Sequence, residues 1–108
     1  MKLVILESPY AGDIEGNVTY ARTCLRDSLN RGEAPIASHL LYTQPGVLCD
    51  ELASERQWGI AAGLAWRKVA DGAVFYVDRG WSAGMLAAEE HYRLTEFPFE
   101  IRTLMEAV

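Results

Sequence analysis

The chain has 108 residues, half of them hydrophobic and 23% charged, with ten Lys and Arg against fifteen Asp and Glu and a net charge of −5. That length suits a single domain spanning residues 1–108, with a real but thin core that oligomerisation would help. The acidic balance argues against a nucleic-acid polymer as partner, because phosphate-backbone binding needs a basic face. An anionic small molecule stays open, since one Arg and a helix N-terminus can hold it locally.

Cys24 and Cys49 are too few and too far apart for a disulfide framework, and read as two free thiols in a reducing compartment. The apolar start, Met1 to Leu6, breaks at Glu7. It falls short of a signal core of about 7–15 residues or a membrane span of about 20. A cytoplasmic protein with no membrane partner is expected. With two histidines and no cysteine pair at ligand spacing, neither a metal nor a cofactor is expected.

Leu3 to Leu6 is a continuous apolar run, the mark of a central parallel strand covered on both faces. Asn17 then reads as an N-cap, and Val18, Ala21, Leu25 and Leu29 recur at helical spacing up to a stop at Gly32. Ala34 to Ala37 is a short strand whose Pro35 calls for an edge position. A long loop follows from Ser38 to roughly Asp50. Asp50 or Ser54 opens a helix over about 52–70, apolar nearly all round, which therefore needs cover on more than one side. Its Gly59 and Gly63 form a stripe for close packing, either on the chain's own sheet or in a homodimer anchored by Trp58 or Trp66. A strand at 73–77, a helix from about Ser82 to Leu94 and a strand from Phe97 to Leu104 complete the chain.

Alternating strands and helices with short connections predict a Rossmann-like or flavodoxin-like α/β domain: four parallel strands in the order 2-1-3-4, helices on both faces. In that order the loops after the first and third strands meet at the switch point where α/β proteins bind ligands. The first loop supplies Ser8, Pro9, Tyr10, Gly12 and Asn17, the last either as a cap or as a ligand contact. Tyr10 is placed to stack on a base or sugar. The second supplies Asp78, Gly80, Trp81, Ser82, Gly84 and Met85; helix capping explains Ser82 about as well as binding does. His39, at the end of the second strand, would contact a phosphate or base. Arg102 would reach a phosphate or pair with Asp78.

Ser8-Pro9-Tyr10-Ala11-Gly12, Gly16-Asn17, and Asp78-x-Gly80-x-Ser82-x-Gly84-Met85 resemble the nucleoside 2-deoxyribosyltransferase-like superfamily, short versions of which are common in phage and bacterial genomes. The stretch from Glu55 to Trp66 adds a further echo. The resemblance implies a nucleoside or nucleotide ligand and assembly into oligomers. In the enzymes of that superfamily a glutamate on the helix after the Gly-rich loop attacks the anomeric carbon and forms a glycosyl-enzyme intermediate. Its position here is Ala88, followed by Glu89 and Glu90. One residue along a helix turns a side chain by about 100°, so the two cannot both face the pocket.

Two readings follow. In the first, the domain holds a nucleotide-type ligand without cleaving it, as a phage protein sequestering a host's nucleotide immune signal would. In the second, it is an N-glycosidase or deoxyribosyltransferase, with Glu89 as nucleophile and Asp78 assisting. A structural domain without any ligand is the third possibility.

Overall fold

The apolar run at the start of the chain forms β1, Lys2–Glu7, and its alternation decides what packs on each face of the sheet. In the computed structural model, which describes residues 1–104, Val4 and Leu6 point to one face. There they meet Tyr20 and Cys24 of α1, Ile14–Asn30, together with Val74 and Tyr76 of β3, Gly72–Tyr76. Ile5 points to the other face, against Ala73 and Phe75 of β3 and Met85, Ala88 and Tyr92 of α4, Ala83–Leu94. The remaining elements are β2, Glu33–Ile36; α2, Ser38–Leu41; α3, Ala53–Ala65; and β4, Phe99–Arg102.

All strand pairs are parallel, and the order is β2-β1-β3-β4. Pro35 lies in an edge strand, as its missing N–H requires. Glu7 pairs with Phe75, so β1 and β3 end side by side and the loops after them open on one edge. None of the described helices is long and apolar enough to cross a membrane.

Several local expectations need correcting. Asp13, not Asn17, caps α1, its carboxylate accepting from the Gly16 N–H at 3.2 Å. Asn17 is buried, and its amide donates to the Tyr10 and Ala11 carbonyls at 3.0 and 3.1 Å, pinning the preceding loop. The inner stripe of α1 is Asn17, Tyr20, Ala21, Cys24 and Ser28, so Leu29 is exposed. Ser28 is tolerated inside because its hydroxyl donates to Glu33 at 2.7 Å.

The segment after β2 is not all loop, since α2 opens it. The next helix ends at Ala65 and tightens into a 3-10 turn, Trp66–Lys68. Neither Asp50 nor Ser54 caps it. Leu52 stands at the N-cap without a side-chain bond, and Glu55 reaches back to the Cys49 N–H at 2.7 Å. Cover on several sides is absent as well: among its residues only Gly63 is buried, and Trp58 is 68% exposed. The glycine stripe serves the chain itself. A Cβ on Gly63 would lie 2.6 Å from the Ser38 hydroxyl, which is how closely α2 and α3 pack.

Candidate functional site

The edge where β1 and β3 end holds a cavity of about 430 Å³. Glu7, Ser8, Tyr10 and Ala11 form one wall, and Ser38, His39 and Thr43 another. Asp50 and the α3 residues Arg56, Gly59, Ile60 and Leu64 close a third side, opposite Ser82, Ala83, Gly84, Met85 and Ala88. Apolar surface with a few convergent polar groups is the usual make-up of a small-molecule site.

Each polar group there has a local cause. Ser8 follows β1, is buried, and lies 2.8 Å from His39 Nε2. Burial lowers the His39 pKa to about 4, so the ring is neutral at physiological pH. The pair has the spacing of a nucleophile and base, but a base that weak activates little, and among the described residues no carboxylate bonds its other nitrogen. It is better suited to hydrogen-bonding a ligand. The edge of Tyr10 stands against His39 at 6.5 Å between ring centres, and its hydroxyl donates to the Thr43 carbonyl. Ser82 caps α4, accepting from the Met85 N–H at 3.2 Å, and still lines the cavity, so capping and lining coexist. Gly84 is open to the cavity: a Cβ there would meet nothing nearer than the Ser82 hydroxyl at 3.9 Å.

Glu7 is the group that sequence reasoning missed. It shares a strand face with Ile5, so its carboxyl turns toward α4, where the Tyr92 hydroxyl donates to Oε2 at 3.0 Å. Burial raises the Glu7 carboxyl to about 7, against the opposing effect of that hydrogen bond. The Tyr92 hydroxyl is itself raised, by burial first and by Glu7 second. An acidic residue closing an apolar strand at the switch-point edge was the available signal. Arg56 and Asp50 were missed as well, because the packing that brings α3 over the sheet edge is not written in local spacing.

Ser8, Tyr10, His39, Ser82, Gly84 and Met85 are thus brought together, whereas the other candidates lie outside the cavity lining. Pro9 is buried beside it. Gly12 and Gly80 shape turns with φ of +96° and +88°. Trp81 packs on Phe75, with ring centres 5.2 Å apart. Asp78 is occupied in holding the chain together. It accepts from the Tyr20 hydroxyl and the Leu104 N–H, while its own N–H donates to Tyr20 at 2.9 Å. Arg102 pairs not with Asp78 but with Glu33, at 2.6 Å, and donates to the Tyr76 hydroxyl at 3.2 Å. Glu33 is held below the usual carboxylate range by that bond to Arg102.

The inner stripe of α4 is Met85, Ala88 and Tyr92. Position 88 therefore faces the cavity, and Glu89 turns aside to Arg93 at 3.5 Å. A second hollow, of about 460 Å³ over the start of α1, is a shallow surface depression bordered by the Arg79–Asp13 pair. Among the described residues no cluster of His, Cys, Asp and Glu could hold a metal ion.

No curated protein and no solved structure matches this sequence. Residues 2–102 match the family model described as a domain of unknown function, DUF7768. That match takes in every strand and helix described above, and the chain belongs to the DUF7768 family.

Proposed function

We propose that this domain binds a nucleoside- or nucleotide-type small molecule in the cavity at the end of β1 and β3, and holds it without cleaving it. The observation that carries the reading is the lining itself. Ile60, Leu64, Met85 and Ala88 give a planar heterocycle an apolar bed, while Ser8, His39, Ser82 and Glu7 offer hydrogen bonds around it. The likeness of the two loops to nucleoside 2-deoxyribosyltransferase-like proteins supports the same ligand class. Retention without turnover is supported by α4, which presents a methyl group where that likeness would put the nucleophile. A protein of this kind would act by sequestration, and the phage setting rests on the resemblance alone.

Glycosidic cleavage is the second reading, favoured by one observation: Glu7 brings a carboxyl to the cavity from β1 instead of from α4. A homo-oligomer belongs to the proposal through the exposed face of α3, with Trp58 as anchor. Trp66 is engaged within the chain by donating to the Tyr42 hydroxyl at 2.9 Å. Because α3 also walls the cavity, a partner seated on it would stiffen the site.

Equilibrium dialysis against a panel of nucleosides, nucleoside monophosphates and cyclic nucleotides tests the reading. At least one is retained by the wild type and lost from a folded Gly84→Leu variant, whose side chain would occupy the cavity. A panel wholly unbound by folded protein would overturn it.

A further inference from the structure

Resting on the nucleoside-type reading above, we propose that Glu7 is the group that reads the heterocycle: its ionised carboxylate accepts a hydrogen bond from an amino or imino N–H of the base. The sugar, with any phosphate, then extends toward Arg56.

The two carboxyl oxygens of Glu7 differ in what they bond. Oε2 takes the Tyr92 hydroxyl, and among the described residues nothing bonds Oε1. The residue lines the cavity, so the unused acceptor is available to a ligand in a site that supplies little other negative charge at that wall. Tyr92 packs against Phe75, Phe97 and Phe99, and this packing positions the hydroxyl that orients the Glu7 carboxyl before a ligand arrives. Such an acceptor favours a ligand edge carrying N–H and disfavours phosphate, which it would repel. On the α3 wall, the Nε of Arg56 donates to the Asp50 carbonyl at 3.0 Å and lies 3.8 Å from the Asp50 carboxylate, while its two terminal nitrogens have no hydrogen bond among the described residues. The cavity thus offers a carboxylate acceptor from β1 and unused guanidinium N–H groups from α3, which gives a bound nucleotide a direction.

Binding of this kind is linked to protonation, because only the ionised carboxylate accepts the N–H. Burial holds Glu7 protonated up to about pH 7, so the ligand must displace a proton below that pH. Two groups near Glu7 titrate outside this window: Tyr92 on α4 has its hydroxyl raised well above it, and His39 on α2 titrates near 4. Arg67, which acts on the Tyr92 hydroxyl, and Arg56 on α3 are the cations nearby. Tyr10 and Asp50 complete the charged and titratable lining.

Calorimetric titration of the whole protein with adenosine, guanosine, cytidine and purine riboside, across about pH 5 to 8.5, tests the proposal; purine riboside carries no N–H on its base. The tightest of the first three should lose roughly a hundredfold in affinity from about pH 8.5 to pH 5, with one proton released per ligand below pH 7. Purine riboside should bind more weakly at high pH and without proton release. Glu7→Gln, which keeps the shape and the bond from Tyr92, should abolish both the pH slope and the proton release. Nucleoside binding that is independent of pH, or unchanged in Glu7→Gln, would overturn the role of Glu7 and leave the nucleoside-type reading standing. No binding of any nucleoside or nucleotide by folded protein at any pH would overturn both.

Discussion

Ionising Glu7 inside the fold carries a cost that the unfolded chain does not incur. Its folded pKa, about 7, lies above the ordinary 4.5, so between those values the native state holds a proton that the unfolded state has lost. Stability therefore falls as pH rises from about 4.5 through about 7, by roughly 3 kcal/mol at most. His39 acts on the other side. Lowered from 6.5 to about 4, it makes the unfolded chain the better proton binder in that range, so stability is lost as pH falls through it. Thermal melts of Glu7→Gln should show a higher Tm than wild type at about pH 8.5 and little difference at pH 5. An equal shift at both pH values would show that Glu7 does not titrate inside the fold. Asp78 should behave as a structural residue. Asp78→Ala removes the acceptor for Tyr20 and for the Leu104 N–H, and denaturant titration should show a loss of about 1–3 kcal/mol. Ligand affinity per folded molecule is expected to survive.

Two glycines, on α3 and α4, separate packing from binding. Gly63→Ala would push a methyl group against Ser38 Oγ, at a cost of about 1–3 kcal/mol, and Ser38→Gly in the same chain should restore most of it. Gly84, in the first turn of α4, has open space above it, so Gly84→Leu should leave denaturation midpoints nearly unchanged while ligand is excluded. The strands and their order were legible in the sequence, since four short strand segments, two of them continuous apolar runs, separated by helical patterns admit few right-handed parallel arrangements. The loop pair at the ends of β1 and β3 was legible for the same reason. What escaped was set by contacts that the spacing of apolar residues does not display. Asn17 satisfies two loop carbonyls instead of capping, and α3 lies exposed although its composition asks for cover. Glu7 reads as the end of a strand until Tyr92 is brought beside it, from 85 residues away.

Across the whole molecule, the two edge strands are tied by a buried ion pair, Arg102 of β4 to Glu33 of β2, on the α1 face of the sheet. The cavity opens at the sheet edge, between the loop after β1 and the helices α2, α3 and α4, and the ion pair does not line it. The outer side of α3 is left with Leu52 and Trp58 exposed, each by more than half of its surface, which suits association of copies. Light scattering should give a dimer or larger species for wild type and a monomer for Trp58→Glu. Equal masses for the two proteins would remove the anchor role of Trp58. Whether the cavity retains a nucleoside-type molecule intact is read out by mass spectrometry. The purified protein is incubated with nucleosides, nucleotides and cyclic or ADP-ribose-derived compounds, washed, and heat-denatured to release what it held. Recovery of one intact compound near one per chain, absent from Gly84→Leu, is the predicted result. Free base with a sugar or sugar phosphate would contradict retention and establish cleavage, and an empty folded protein would contradict the ligand class itself.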